Sequence, residues 1–279
     1  MIWVLEDPRA GTAAQALGIA ERLGVPFRRV PLRFGRLATM PWPWPTVVGL
    51  VTPLEPPWPS LVISAGRRAA PVARWLRARG ARTVHAMRPG LGADDFDLLV
   101  IGAHDRPRPA PNTLVIQGAA NRLTPEALAA APAAFPELAA LPRPITGLLL
   151  GGPVRGEGMS AAVAGRIAGQ AIADAGSVLA TTSRRTGDAA AYAVAAALAG
   201  RPHHLHRWGQ PANPFHAILA LADRLIVTAD SISMLSEALM TTTPLWMADP
   251  GGLGPRHRGM AEGLRRSGLA AWLGEPPPP

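Results

Sequence analysis

The 279-residue chain contains no cysteine, no lysine and only one tyrosine. It also has no apolar run near the roughly 20 residues that a membrane-spanning helix requires. Each absence excludes some chemistry. Without cysteine there is no disulfide framework, no thiolate nucleophile and no zinc–thiolate site. Without lysine there is no Schiff-base or pyridoxal chemistry and no Walker-type phosphate loop. The lone tyrosine, and the lack of a basic helix or a known module, argue against a nucleic acid partner. The first strand–helix turn lacks G-x-G-x-x-G, which counts against an NAD-type site and so against a nucleotide-sugar epimerase. The N-terminal stretch "MIWVLEDPRAG" has no basic segment ahead of a long apolar core and is not read as a signal peptide. The expectation is a cytoplasmic protein, with a peripheral position at the inner face of a membrane as the variant.

What is present is apolar, alanine-rich and basic. Hydrophobic residues make up 48% of the chain, enough for a sizeable core, and all 28 basic side chains are arginine, for a formal charge of +9. Guanidinium groups stay ionised and match phosphate or carboxylate geometry. Such a charge suits a phosphorylated small molecule or an anionic membrane face.

Strand-length apolar runs alternate with helical stretches. "IWVLE" (2–6), "LVISA" (61–65), "TVHAM" (83–87), "DLLVI" (97–101) and "TLVI" (113–116) occupy the first half. An Ala/Pro-rich stretch, 129–144, precedes a second series: "ITGLLL" (145–150), "SVLATT" (177–182), "HHLH" (203–206), "RLIVTA" (224–229) and "PLWM" (244–247). Short continuous apolar strands separated by helices predict parallel sheets covered on both faces. The fold expected is α/β, with two Rossmann-like doubly wound domains, 1–143 and 144–279, facing a cleft. Segment 28–60, with Trp42, Trp44, Trp58, several arginines and many prolines, is expected to be a long surface loop. Indole beside arginine suits a membrane interface or a lipid acceptor, while the plainer reading is that these tryptophans pack the loop back onto the domain.

In open α/β sheets, ligands bind beyond the carboxyl ends of the strands, and donor-rich residues stand there. Asp7 follows the first strand, and Gly66-Arg67-Arg68 follows "LVISA". Gly151, Gly152 and Arg155 open the second half, where glycine lets the backbone approach a ligand closely. Thr182, Ser183, Arg184 and Arg185 end the next strand, and Asp230, Ser231 and Ser233 follow "RLIVTA". These strand ends point to a phosphate-containing ligand. His104-Asp105 is a candidate acid–base element. His203, His204 and His206 are not read as metal ligands, because neighbouring strand residues face opposite sides and no carboxylate stands nearby. No metal or cofactor is expected.

Several motifs together resemble one family. "W-x-L-x-D-x-R-x-G-x-x-x-Q" near the start, "P-P-W-P-x-L-V-I-S-A-G-R-R", "H-D" at 104–105, "T-S-R-R-T" at 182–186, "N-P-F" at 213–215 and "V-T-A-D-S-I-S-M-L-S-E-A" look like the mitochondrial-fission "elongated mitochondria" family. The resemblance implies a fold similar to GT-B glycosyltransferases, with a nucleotide-sugar held mainly by the C-terminal half. In such enzymes a strand–loop–helix like 225–240 cradles the diphosphate, and an acid on that helix binds ribose. Glu237 matches that acid, and Ser231 stands where glycine is common. Asp230 departs from the pattern, because a carboxylate beside a diphosphate is repulsive unless it caps the helix or takes a sugar hydroxyl.

The resemblance thus implies metal-independent transfer of a sugar from a UDP- or GDP-type donor to an envelope lipid or glycan acceptor. Gly151, Gly152, Arg155, Thr182, Ser183, Arg184, Arg185, Asn213, Asp230, Ser231, Ser233 and Glu237 would hold the donor, and Asp7 or His104 would be the base. The alternative is a non-catalytic membrane-surface adaptor that keeps the transferase architecture.

Overall fold

The computed structural model describes residues 1–153 and 159–278. The chain forms two compact units, Met1–Arg122 and Leu123–Pro279. The first contains β1 (Ile2–Glu6), α1 (Ala10–Arg22), β2 (Phe27–Pro31), β3 (Leu61–Ala65), α2 (Ala70–Arg77), β4 (Arg82–Ala86), β5 (Leu98–Gly102) and β6 (Thr113–Ile116). Its sheet is parallel, in the order β2-β1-β3-β4-β5-β6. The order reverses between β1 and β3, which defines a topological switch point where ligands bind in such sheets.

The second unit contains α3 (Pro125–Ala130), α4 (Pro136–Ala139), β7 (Ile145–Leu150), α5 (Ala161–Ile172), β8 (Ser177–Thr182), α6 (Asp188–Leu198) and β9 (His203–His206). It continues with α7 (Phe215–Leu221), β10 (Arg224–Thr228), α8 (Ile232–Ala238), β11 (Leu245–Ala248), α9 (Pro255–Arg266) and β12 (Ala271–Trp272). Its parallel sheet runs β12-β11-β10-β7-β8-β9, and the switch point lies between β7 and β10.

The strands form where they do because both faces of each sheet are covered. Every residue of β7 and β8 is buried, so these central strands tolerate only continuous apolar or small residues. On one face Leu149, Leu179, Val227 and Met247 pack with α7, α8 and α9; on the other Leu148, Leu150, Val178 and Ile226 pack with α5 and α6. The first sheet is sandwiched in the same way, with Trp3, Leu5 and Val62 on one face and Val4, Ile63 and Ala86 on the other.

Three features bear on the sequence expectation. The start of segment 28–60 belongs to edge strand β2, where Arg28 and Arg29 are exposed and Val30 is buried. Trp58 packs edge-on against Trp3 and Trp75, with centroids 6.3 and 5.4 Å apart, so for this residue the plainer expectation, packing onto the domain, holds. The short helices α3 and α4 pack into the second unit through Leu123 and Leu138. The compact units therefore divide near residue 122, upstream of the Ala/Pro-rich stretch.

Candidate functional site

At the first switch point the end of β1 faces the end of β3. Arg68 grips Asp7 through two bonds, Nε to Oδ2 at 3.1 Å and Nη2 to Oδ1 at 2.6 Å. The backbone N–H of Arg9 also donates to Asp7 Oδ1 at 2.9 Å. The Asp7 side chain is 3% exposed and that of Arg68 21%, and the guanidinium also lies 5.0 Å from the Phe34 ring centroid. Asp7, expected as a base, is thus a fully engaged carboxylate. His104 sits in a short turn after β5, buried, its Nε2 3.9 Å from Asp105 Oδ2. Gly102 makes room for it, since a Cβ there would lie 2.2 Å from His104 Cε1.

At the second switch point the ends of β7, β8 and β10 meet. The Gly151 N–H donates to Thr228 Oγ1 at 2.7 Å, joining β7 to β10. The turn after β8 is tied to the same place: Thr186 Oγ1 donates to Leu150 O at 2.8 Å, and Arg185 Nη1 donates to Gly152 O at 2.6 Å. A Cβ on Gly152 would come within 1.9 Å of the Arg185 carbonyl oxygen, so only glycine permits this approach. Ser183 closes the turn, its N–H donating to Thr186 Oγ1 at 2.9 Å and its Oγ accepting the Arg185 N–H at 3.2 Å. Arg184 is exposed beside it. Thr182 is buried and accepts the Trp208 N–H at 2.9 Å, a structural role. Arg155 lies outside the described residues.

Across the switch point, Ser231 is the residue before α8 and makes no side-chain cap bond; its Oγ is 3.4 Å from Ser233 Oγ. Asp230 does not cap the helix either. It is 6% exposed, and among the described residues neither carboxylate oxygen has a hydrogen-bond partner. Glu237 meets His216, Oε2 to Nε2 at 3.1 Å, and both remain partly exposed. Asn213 is displaced from this group: its Oδ1 accepts the Phe215 N–H at 3.1 Å at the start of α7 and the Thr181 hydroxyl at 3.3 Å.

Two contributors escaped sequence reasoning. Thr228 looks like a strand residue, yet its hydroxyl orders the backbone of Gly151. His257, on the first turn of α9, is held below the ordinary imidazole range by burial, with Arg256 and Arg185 acting in the same direction and Asp230 opposing. The signal for His257 was the "GPRHR" helix start after β11. A hollow of about 370 Å³ opens in the same unit, lined by Arg166 and Gln170 of α5, Asp249 after β11, and Arg258 and Glu262 of α9. Among the described residues no group of three or more His, Asp or Glu is placed to hold a metal ion, and no helix is long and apolar enough to cross a membrane.

A family model described as Mitochondrial fission ELM1 matches residues 10–277. The chain belongs to this family. The family's Arabidopsis thaliana protein, Mitochondrial fission protein ELM1, is 26% identical over 219 residues, covering 68% of this chain and 51% of that protein. An uncharacterized protein of Rickettsia prowazekii (strain Madrid E) is 29% identical over 113 residues, 37% of this chain and 32% of that one. The chain thus spans about half the length of the plant relative it matches. Among solved structures, MurG of Acinetobacter baumannii superposes with a TM-score of 0.56 at 14% identity, covering 97% of this chain and 84% of that one. CalG4, the calicheamicin glycosyltransferase, gives 0.50 at 13% identity, with 98% and 84% covered. At such identities the likeness establishes the fold: this ELM1-family chain has GT-B glycosyltransferase architecture, two Rossmann-like units in succession.

Proposed function

We propose that the C-terminal unit binds a nucleoside diphosphate-sugar at its switch point and that the chain is a metal-independent glycosyltransferase. The observation that carries this reading is the convergence at one point of glycines (Gly151, Gly152), the Arg185 guanidinium and hydroxyls (Ser231, Ser233) from the ends of β7, β8 and β10, with Arg184 the exposed neighbour of Arg185. Phosphates need that combination of close backbone approach and positive charge.

In the reaction, an acceptor hydroxyl forms a bond to the anomeric carbon as the bond from that carbon to the diphosphate breaks. The nucleoside diphosphate leaves with the electron pair, its charge met by Arg184 and Arg185, and a base takes the acceptor proton. Glu237, oriented by His216, is assigned to ribose hydroxyls. Of the two candidate bases, His104 fits better, since Asp105 at 3.9 Å can stabilise the imidazolium that forms. Asp7 instead positions Arg68. Calorimetric titration with UDP, GDP, ADP and TDP tests the reading: binding that weakens about tenfold on Arg184→Ala supports it, and no binding at millimolar nucleotide refutes it.

A second reading, a membrane-surface adaptor, is favoured by one patch of the N-terminal unit. Leu37, Met40, Trp44, Val48 and Val51 are exposed together on the loop after β2, beside Arg33 and Arg36. The Trp42 and Trp44 rings meet there at a 58° tilt, centroids 5.5 Å apart. Vesicles of phosphatidylglycerol and phosphatidylcholine would sediment the protein on this reading, and Trp42→Ala with Trp44→Ala would release it. Failure to sediment at low salt would eliminate the adaptor.

A further inference from the structure

We infer that Asp230 is the acceptor for hydroxyl groups of the bound sugar, so that the site takes a nucleoside diphosphate carrying a polyhydroxylated group in preference to the bare nucleotide. The inference rests on the nucleotide-binding reading above and adds to it the residue that selects the ligand.

The starting point is a polar group with no structural employment. Buried polar groups in folded proteins nearly always have partners, and a buried carboxylate without donors is among the most costly exceptions. Asp230 is such an exception, with neither oxygen bonded. Other aspartates of the chain have donors: Asp7 has Arg68 and the Arg9 N–H, Asp223 has Arg143 and the Ile145 N–H, and Asp97 has Thr83. Helix capping would have supplied donors to Asp230, yet α8 begins at Ser231 without a side-chain cap.

The surroundings identify the missing donor. A Cβ on Gly151 would lie 2.6 Å from Asp230 Oδ1 and 3.0 Å from Thr228 Oγ1. Gly151 is not among the positive-φ glycines, so space beside the carboxylate, not backbone conformation, calls for glycine there. A metal is a poor candidate, since no carboxylate or histidine cluster surrounds the position among the described residues. A phosphate is worse, because an ionised phosphate offers acceptors to an acceptor. Arg185 and Asp230 both lie close enough to His257 for their charges to act on its imidazole, in opposite directions. The phosphates therefore belong on the Arg184–Arg185 side of the switch point, and the carboxylate side takes donors. Sugar hydroxyls are neutral donors of the right kind, and a site kept unsatisfied until they arrive trades stability for binding.

The test uses the full chain, as wild type, Asp230→Asn and Asp230→Ala. Each is titrated calorimetrically with UDP, UDP-glucose, UDP-N-acetylglucosamine, GDP and GDP-mannose, and each is melted without ligand. The expected result is that at least one sugar conjugate binds about tenfold tighter than its own nucleotide. Both variants should lose that preference while holding the bare nucleotide within about twofold of wild type. Asp230→Asn should also melt no lower than wild type, and by about 2 °C higher if the unmet charge is relieved. A sugar preference that survives in both variants overturns the inference, and so does Mg²⁺ binding without nucleotide that vanishes in Asp230→Asn. A fall in melting temperature of several degrees for Asp230→Asn overturns it as well, by showing a structural role. If no nucleotide binds the wild type, the proposed function falls and this inference with it. Nucleotide binding with an unchanged sugar preference removes the inference alone.

Discussion

The two units place an aspartate at the same topological position and treat it in opposite ways. Asp7, after β1 at the first switch point, is held by a bidentate arginine and a backbone N–H. Asp230, after β10 at the second, is as deeply buried and has no hydrogen-bond partner among the described residues. The first arrangement ties two strand ends together through three hydrogen bonds to the carboxylate. The second is unsatisfied in the free protein and is where an incoming donor gains most. The contrast is the ground for proposing stability at one switch point and ligand recognition at the other.

The largest effect should come from breaking the satisfied pair. Asp7→Ala leaves Arg68 charged and mostly buried, and breaking buried pairs costs about 3–5 kcal/mol. Because Arg68 retains some solvent contact, the lower end is expected, read from urea denaturation of the full chain. A loss below about 1 kcal/mol would make Asp7 no more structural than an exposed ion pair and would erase the contrast.

Next comes the close approach in the second unit. Gly152→Ala forces a methyl into the Arg185 carbonyl, an overpacking expected to cost about 2 kcal/mol. It should also weaken nucleotide binding, since the turn carrying Arg184 moves. Unchanged stability and unchanged binding would show that the β7 and β8 ends do not depend on this contact.

Acid sharpens the comparison from the side of the first unit. His85 on β4 is fully buried against Ser64, Oγ to Nδ1 2.7 Å, and burial lowers its pKa from 6.5 to about 3. The unfolded chain therefore binds a proton below pH 6.5 that the folded chain refuses down to pH 3. Stability contributed by neutral His85 is complete above pH 6.5 and falls by about 1.4 kcal/mol per pH unit as pH drops towards 3. His85→Gln should flatten that slope in denaturation curves between pH 6.5 and 4. Parallel slopes would mean that His85 is protonated in the fold.

The smallest stability effect belongs to Glu237 and His216, a pair open to solvent. Glu237→Gln should cost less than about 1 kcal/mol yet weaken nucleoside diphosphate binding more than it weakens the fold. Equal loss in both would reduce the pair to an ordinary surface contact.

Much of the architecture could be read from the sequence because parallel strands buried on both faces must be continuous apolar runs. β7, β8 and β10 announce themselves as "ITGLLL", "SVLATT" and "RLIVT". β2 escaped for the complementary reason: an edge strand needs one buried residue, Val30, and tolerates Arg28, Arg29 and a terminal Pro31. β12, two residues long, leaves no periodic trace. At the site, residue types at strand ends were legible, since glycine, arginine and serine there have few other uses. Pairings were not. Arg68 and Asp7 stand 61 positions apart, and nothing in the local pattern says that this arginine takes that carboxylate. The reverse held for Asp230, where only three dimensions reveal that the expected cap is not made.

The most direct test of the account is calorimetry of the full chain with UDP and GDP at millimolar concentration, repeated with Arg184→Ala. The account predicts saturable binding of at least one nucleoside diphosphate without added metal, weakened about tenfold by the substitution. Heats no different from dilution, in a protein shown to be folded, would contradict it.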